Sequence, residues 1–197
     1  MGYVPTIALI GPESSGKSTL ARYLSDKFGY VAIDEYAREY LVRLNRPYSL
    51  NDVLHIYNHQ TEKQIECLKG NPPGIVADTE GINIKVWCEE VFGESPVWLE
   101  GMIELHYYDL YLLTAPDIPY VPDPLRENPG RGEYFFNRFK DELDKRKLPY
   151  VVISGHWGER CQMAMDAIVE RGLDTLYFRT KKTKTKRKIV RQKKKST

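Results

Sequence analysis

The chain has 197 residues, of which 42% are hydrophobic and 28% charged, and a formal net charge of +2. That is the size and balance of a single globular domain; no apolar run approaches the ~20 residues a membrane helix needs, and Met1-Gly2-Tyr3-Val4-Pro5 lacks the regions of a secretory signal. The three cysteines are odd in number and widely spaced, which argues against a disulfide framework or a zinc site and fits a reducing cytoplasm.

Thr6–Ile10 is a short apolar run that predicts a buried strand. Gly11-Pro12-Glu13-Ser14-Ser15-Gly16-Lys17-Ser18 follows it with the spacing of a phosphate-binding loop: Gly, four residues, then Gly-Lys-Ser. Leu20, Tyr23, Leu24 and Phe28 then recur at helical spacing. Strand, glycine-rich turn and helix N-terminus together form an anion site, with backbone N–H groups and the positive end of the helix dipole facing the phosphates. The residues expected to hold ATP are Gly11, Glu13, Ser14, Ser15, Gly16, Lys17, Ser18 and Thr19. Lys17 is placed at the β- and γ-phosphates and the Ser18 hydroxyl on Mg2+.

Tyr30–Ile33 predicts a second strand, ending in Asp34-Glu35 before a helix to about Leu44. A carboxylate at that tip faces the γ-phosphate, where a kinase needs a base; two adjacent acids equally fit a helix cap. Arg38, one turn on, is placed to bind a phosphate or hold a carboxylate. Asn51 or Asp52 is read as the cap of a longer helix to Lys69, which the Gly70–Gly74 turn ends. Ile75–Ala77 is a third strand whose tip, Asp78, is expected to hold magnesium beside the loop, with a turn or cap as the alternative. Helices over 82–92 and 97–107 and a strand over 110–113 come next. Residues 115–132 are too long and polar for a tight connection and read as a lid carrying Arg126 and Arg131, the latter expected at the nucleotide. A helix over 134–147, a strand over 150–153 and a helix over 159–171 complete the body, and 174–178 adds a short edge segment. Strands alternating with helices give an α/β fold with a five-stranded parallel sheet covered on both faces, one kinase domain over 1–178.

The segments GPESSGKSTLA, DEYAREYL, ADTEGINIKVW, LYLLTAPDIPYVPDPLRENP and VVISG together resemble the ribosylnicotinamide kinase domain of the bifunctional bacterial NAD-biosynthesis regulator, over roughly residues 5–171. The resemblance implies a nucleoside-kinase-like three-layer fold and transfer of the ATP γ-phosphate to the 5′-hydroxyl of nicotinamide riboside. Carried over motif by motif, it implies catalytic roles for Lys17, Glu35, Asp78 and Arg126. It also implies acceptor contacts from Glu35, Arg38, Lys85 and Trp87, with Glu35 preferred to Asp34 as base or ribose ligand; position alone adds Asp34 at the strand tip and Tyr36, whose ring is placed to stack on the acceptor. The chain departs from the pattern at Gly81-Ile82-Asn83, after Glu80, where the family usually continues with apolar residues. Neither the DNA-binding nor the adenylyltransferase activity of that regulator carries over.

The segment 179–197 holds eleven Lys/Arg and no acid, leaving 18 basic against 27 acidic residues in 1–178, a net charge of −9. Such a block is expected to be disordered, either a solubilising extension or a weak polyanion-binding tail. The expected partner is a small-molecule nucleoside, with no membrane. Two other readings stay open: a kinase of another nucleoside or nucleotide, and a regulatory NTP-binding module whose tail touches nucleic acid.

Overall fold

Five apolar runs become strands because each is short, rich in branched residues and followed by a turn. The computed structural model describes residues 3–174. Along the chain the elements are β1 (Thr6–Ile10), α1 (Lys17–Phe28), β2 (Val31–Ile33), α2 (Tyr36–Arg43), α3 (Leu50–Lys69), β3 (Ile75–Asp78), α4 (Gly81–Phe92), α5 (Val97–Leu105), β4 (Leu110–Thr114), α6 (Gly132–Lys145), β5 (Tyr150–Ile153) and α7 (Trp157–Glu170). The basic tail, the domain boundary at 178 and nearly all of the expected 174–178 segment lie outside the described residues.

The strands form one parallel sheet in the order β2-β3-β1-β4-β5. β1 is central, and the chain builds β2 and β3 on one side and β4 and β5 on the other. A crevice therefore opens beyond the carboxyl end of β1. The register sets Leu9 beside Asp78 and Ile10 beside Leu113, so the tips of β3 and β4 flank the loop that leaves β1.

Side chains alternate across the sheet. Ile7 and Leu9 pack with Leu20, Ala21 and Leu24 of α1 and Ala164 and Ile168 of α7. Ala8 and Ile10 face the opposite layer, with Ile56 of α3, Val86 of α4, Leu99 of α5 and Phe139 of α6. Helices on both faces explain why the inner strands are continuous apolar runs, the three-layer α/β arrangement expected.

Helix starts differ from the sequence reading in an informative way. The cap of α3 is Ser49, not Asn51 or Asp52: Asp52 is the reciprocal partner of a capping box, accepting from the Ser49 N–H at 2.8 Å. The cap of α4 is Glu80, whose Oε1 accepts from the Ile82 N–H at 2.9 Å. Asp78 is thereby free of the capping duty that was its alternative role.

Candidate functional site

The loop after β1 has the geometry its glycines demand. Gly11 and Gly16 lie at φ 145° and 85°, and a Cβ on Gly11 would fall 2.4 Å from Thr114 Oγ1. Backbone strain and contact both exclude a larger residue there. Gly16 ends the loop and α1 begins at Lys17, with no side chain closing its first N–H groups, which leaves a helix N-terminus open for an anion. The Lys17 amine folds back to donate to the carbonyls of Gly11 (2.9 Å) and Pro12 (2.8 Å).

Two carboxylates face this loop. Asp78, at the tip of β3, is buried, and its Oδ1 has no hydrogen-bond partner among the described residues. Burial pushes its pKa up, against the pull of Lys17 and a hydrogen bond from Ser18. An orphaned buried oxygen beside a loop hydroxyl suits Mg2+, which typically takes one or two protein ligands and completes its shell with water and substrate phosphates. Ser18 and Asp78 are the residues that would hold it. Glu35 occupies the cap position of α2, but its side chain makes no capping bond. It lines the cleft, and burial raises its pKa; Lys17 and Arg38 oppose the shift while Asp78 and Glu13 add to it. Asp34 is exposed at the strand tip and acts on Asp78 through its charge.

The segment 115–131 closes over the cleft, fastened by the phosphate loop itself. Glu13 accepts from the Asn128 N–H at 3.1 Å and the Glu127 N–H at 3.3 Å. Ser14 Oγ accepts from the Val121 N–H at 2.8 Å and from Arg126 at 3.3 Å. Arg38 pairs with Asp123 at 2.8 Å, and Tyr48 donates to Glu127 at 2.6 Å. Arg131 lines the cleft, but its guanidinium pairs with Glu90 at 2.7 Å and lies over the Tyr134 and Phe135 rings.

Beneath the lid is a cavity of about 340 Å3. One end is the phosphate loop, Lys17, Ser18, Thr19 and Glu35; the other is largely apolar, with Leu41, Ile56, Val86, Trp87 and Phe139. This size and mixture suit a small aromatic ligand. Trp87 is anchored by a 3.2 Å bond from its indole N–H to Tyr48.

Three expected acceptor residues, Asp34, Tyr36 and Lys85, do not line the cavity. Asn83, Val86, Trp87 and Glu90 share the α4 face that lines it, and Lys85 is turned away from that face. It is buried in an ion-pair cluster with Glu89 (2.5 Å) and Glu142 (3.0 Å), which Arg146 and Glu100 extend to α5 and α6. Lys85→Met should therefore leave acceptor KM unchanged but lower stability by roughly 3 kcal/mol, because Glu142 keeps its burial and loses a partner. Urea melts and steady-state kinetics on the same preparation check both halves. Tyr36 packs outward on α3, its ring 3.8 Å from that of His59.

Sequence reading missed Tyr48, Glu90 and Arg160. Arg160, buried on α7, donates to the carbonyls of Ser15 (3.0 Å), Ala115 (3.0 Å) and Gly155 (2.7 Å) and pairs with Asp117. It ties the phosphate loop to the root of the lid and the loop after β5. No local motif announces it.

Residues 6–160 match a family described as an AAA domain (AAA_28). Among curated proteins, the chain is 28% identical over 158 residues to the trifunctional NAD biosynthesis/regulator protein NadR of Escherichia coli (strain K12), covering 76% of this chain and 38% of that protein. The chain thus spans well under half of that relative's length. Among solved structures, NadR protein in complex with NR has a TM-score of 0.68 at 21% identity, covering 86% of this chain and 52% of that one. Deoxyadenosine kinase from M. mycoides, with products bound, has a TM-score of 0.60 at 14% identity, covering 84% and 99%. Among the described residues no helix is long and apolar enough to cross a membrane.

Proposed function

The chain belongs to the AAA_28 family of AAA domains, and from that premise we propose that it is an ATP-dependent kinase of a small nucleoside, with nicotinamide riboside as acceptor and its 5′-hydroxyl as the group phosphorylated. One observation carries the reading: Glu35 does no capping, has a raised proton affinity to which the charge of Asp78 contributes, and shares one lidded cavity with Lys17. A nucleotide switch has no use for a base at that position.

Each residue has a task. The loop N–H groups and the α1 terminus bind the phosphates, and Lys17 exchanges its loop carbonyls for them. Magnesium, when bound at Ser18 and Asp78, supplies charge neutralisation on the phosphates. Glu35 accepts the proton of the attacking hydroxyl. Arg126, held at Ser14, brings positive charge over the loop, and the lid excludes water. Trp87 offers a flat wall for a heteroaromatic base. The choice of nicotinamide riboside rests on likeness to NadR, whose structure in complex with NR is similar in fold.

The test is a nucleoside panel with ATP and magnesium, scored by ADP release and product mass. The expected product is nicotinamide mononucleotide. Turnover of a deoxynucleoside alone would replace the acceptor, and ADP release that ignores every acceptor would replace the kinase.

A further inference from the structure

Past its capping Asp52, the buried residues of α3 are Val53, Ile56, Tyr57 and Gln60. The first three pack in the core at helical spacing. The fourth continues the same stripe but carries an amide, which needs hydrogen-bond partners once buried.

Gln60 finds them at the tips of two strands. Its Oε1 accepts from the Tyr36 N–H at 3.3 Å. Its Nε2 donates to the carbonyls of Asp78 at 3.0 Å and Thr79 at 2.9 Å. A backbone N–H only donates and a carbonyl only accepts, so these partners fix which way the amide points. One side chain thus joins the peptide that follows Glu35 to the peptide that follows Asp78.

That bridge lies where the sheet stops providing one. The ladder between β2 and β3 ends at the pair Ile33 and Ala77, so Glu35 lies two residues beyond it and Asp78 one. β2 is also an edge strand of only three residues, held by ladder bonds on one side. The tip of β3 is strained as well. Thr79 sits at φ 72°, a left-handed conformation that a β-branched residue avoids. This turn separates Asp78, beside the phosphate loop, from Glu80, the cap of α4. It is held by the Gln60 bond to the Thr79 carbonyl and by the Thr79 N–H, which donates to Leu9 at 3.1 Å. Strain persists where the surroundings over-determine it, and such places gather at functional sites.

We propose that Gln60 is a positioning residue for phosphoryl transfer. Its amide sets the tip of β2 against the tip of β3, and so fixes Glu35, which takes the acceptor's proton, relative to Asp78 beside the phosphates. Gln60 does not line the cleft; it acts through the two carboxylates. The inference rests on the kinase reading above and adds to it a residue outside the cleft.

Gln60→Met keeps the length of the side chain and removes the amide. The variant should melt several degrees lower than wild type, because the Tyr36 N–H and two carbonyls lose their partner. Calorimetric titration with ATP counts the folded sites. Kinetics then use nicotinamide riboside, or whichever nucleoside of the panel above the wild type phosphorylates. Per counted site, kcat should fall by about ten- to a hundredfold with both KM values unchanged, the size expected when reacting groups shift by up to about 1 Å. Adding Thr79→Gly separates positioning from plain support. Glycine takes the left-handed turn without strain, so the double variant should regain melting temperature but not kcat. Recovery of both would reduce Gln60 to a prop for Thr79 and overturn the proposal, as would a Gln60→Met kcat close to that of wild type. Amide exchange on the wild type decides the matter if neither variant folds. The first N–H groups of a helix have no partner within it, so the Gln60 bond should protect Tyr36; exchange at the rate of an unfolded chain overturns the bridge. A wild type that phosphorylates no nucleoside refutes the kinase reading and the inference together, whereas an active wild type beside an unimpaired Gln60→Met refutes the inference alone.

Discussion

Lys17→Ala should lower kcat by about a hundredfold or more, with the fold intact. Among the described residues the amine donates to the carbonyls of Gly11 and Pro12, and the carboxylates it attracts, Glu35 and Asp78, already have raised proton affinity, so its loss is met by protonation rather than by an unpaired buried charge. What is lost is positive charge where the bond between the β- and γ-phosphates breaks, a transition-state interaction worth about 2.7 kcal/mol or more. Lys17 also holds down the pKa of both Glu35 and Asp78. The residual activity should therefore rise with pH over a higher range than in the wild type. Single-turnover kinetics across pH test both points; activity within a few-fold of wild type would remove the loop from the chemistry.

Glu35→Gln should bind ATP normally yet transfer phosphate two to four orders of magnitude more slowly, since an amide keeps the shape and cannot take the proton. The pH dependence has a definite sign. Burial raises the carboxyl's pKa, so wild-type activity should climb with pH through a range above that of an ordinary glutamate. Between the ordinary and the raised pKa, the native state holds more protons than the unfolded chain, and stability falls as pH rises. The glutamine variant escapes that loss and should melt higher than wild type at pH 8. An active Glu35→Gln beside an inactive Asp78→Asn would move the base to β3.

The sheet was legible because its strands are near-uniform apolar runs, and each end is set within a residue or so by a turn or charge. The loop was legible because few sequences satisfy its glycines and lysine together. Lys85 shows where such reading stops. A lysine two residues before Trp87 looks like an acceptor contact, but Glu142, which holds it, lies 57 residues away. Arg160 reaches Ser15 across 145 residues, and no periodicity or spacing encodes that. The α3 cap was misplaced by two or three residues because Ser49 and Asp52 fill a capping box jointly. Glu13 and Ser14, expected at the nucleotide, line the cleft and also grip the lid.

That grip has a kinetic consequence. The loop that embraces the phosphates is also the catch of the cover above them, so departure of the spent nucleotide and opening of the cover share one set of bonds. For an enzyme built this way, the slow stage of the cycle is escape rather than bond making. Thickening the solvent should then slow turnover, and the first equivalent of product should form in a burst ahead of the steady state.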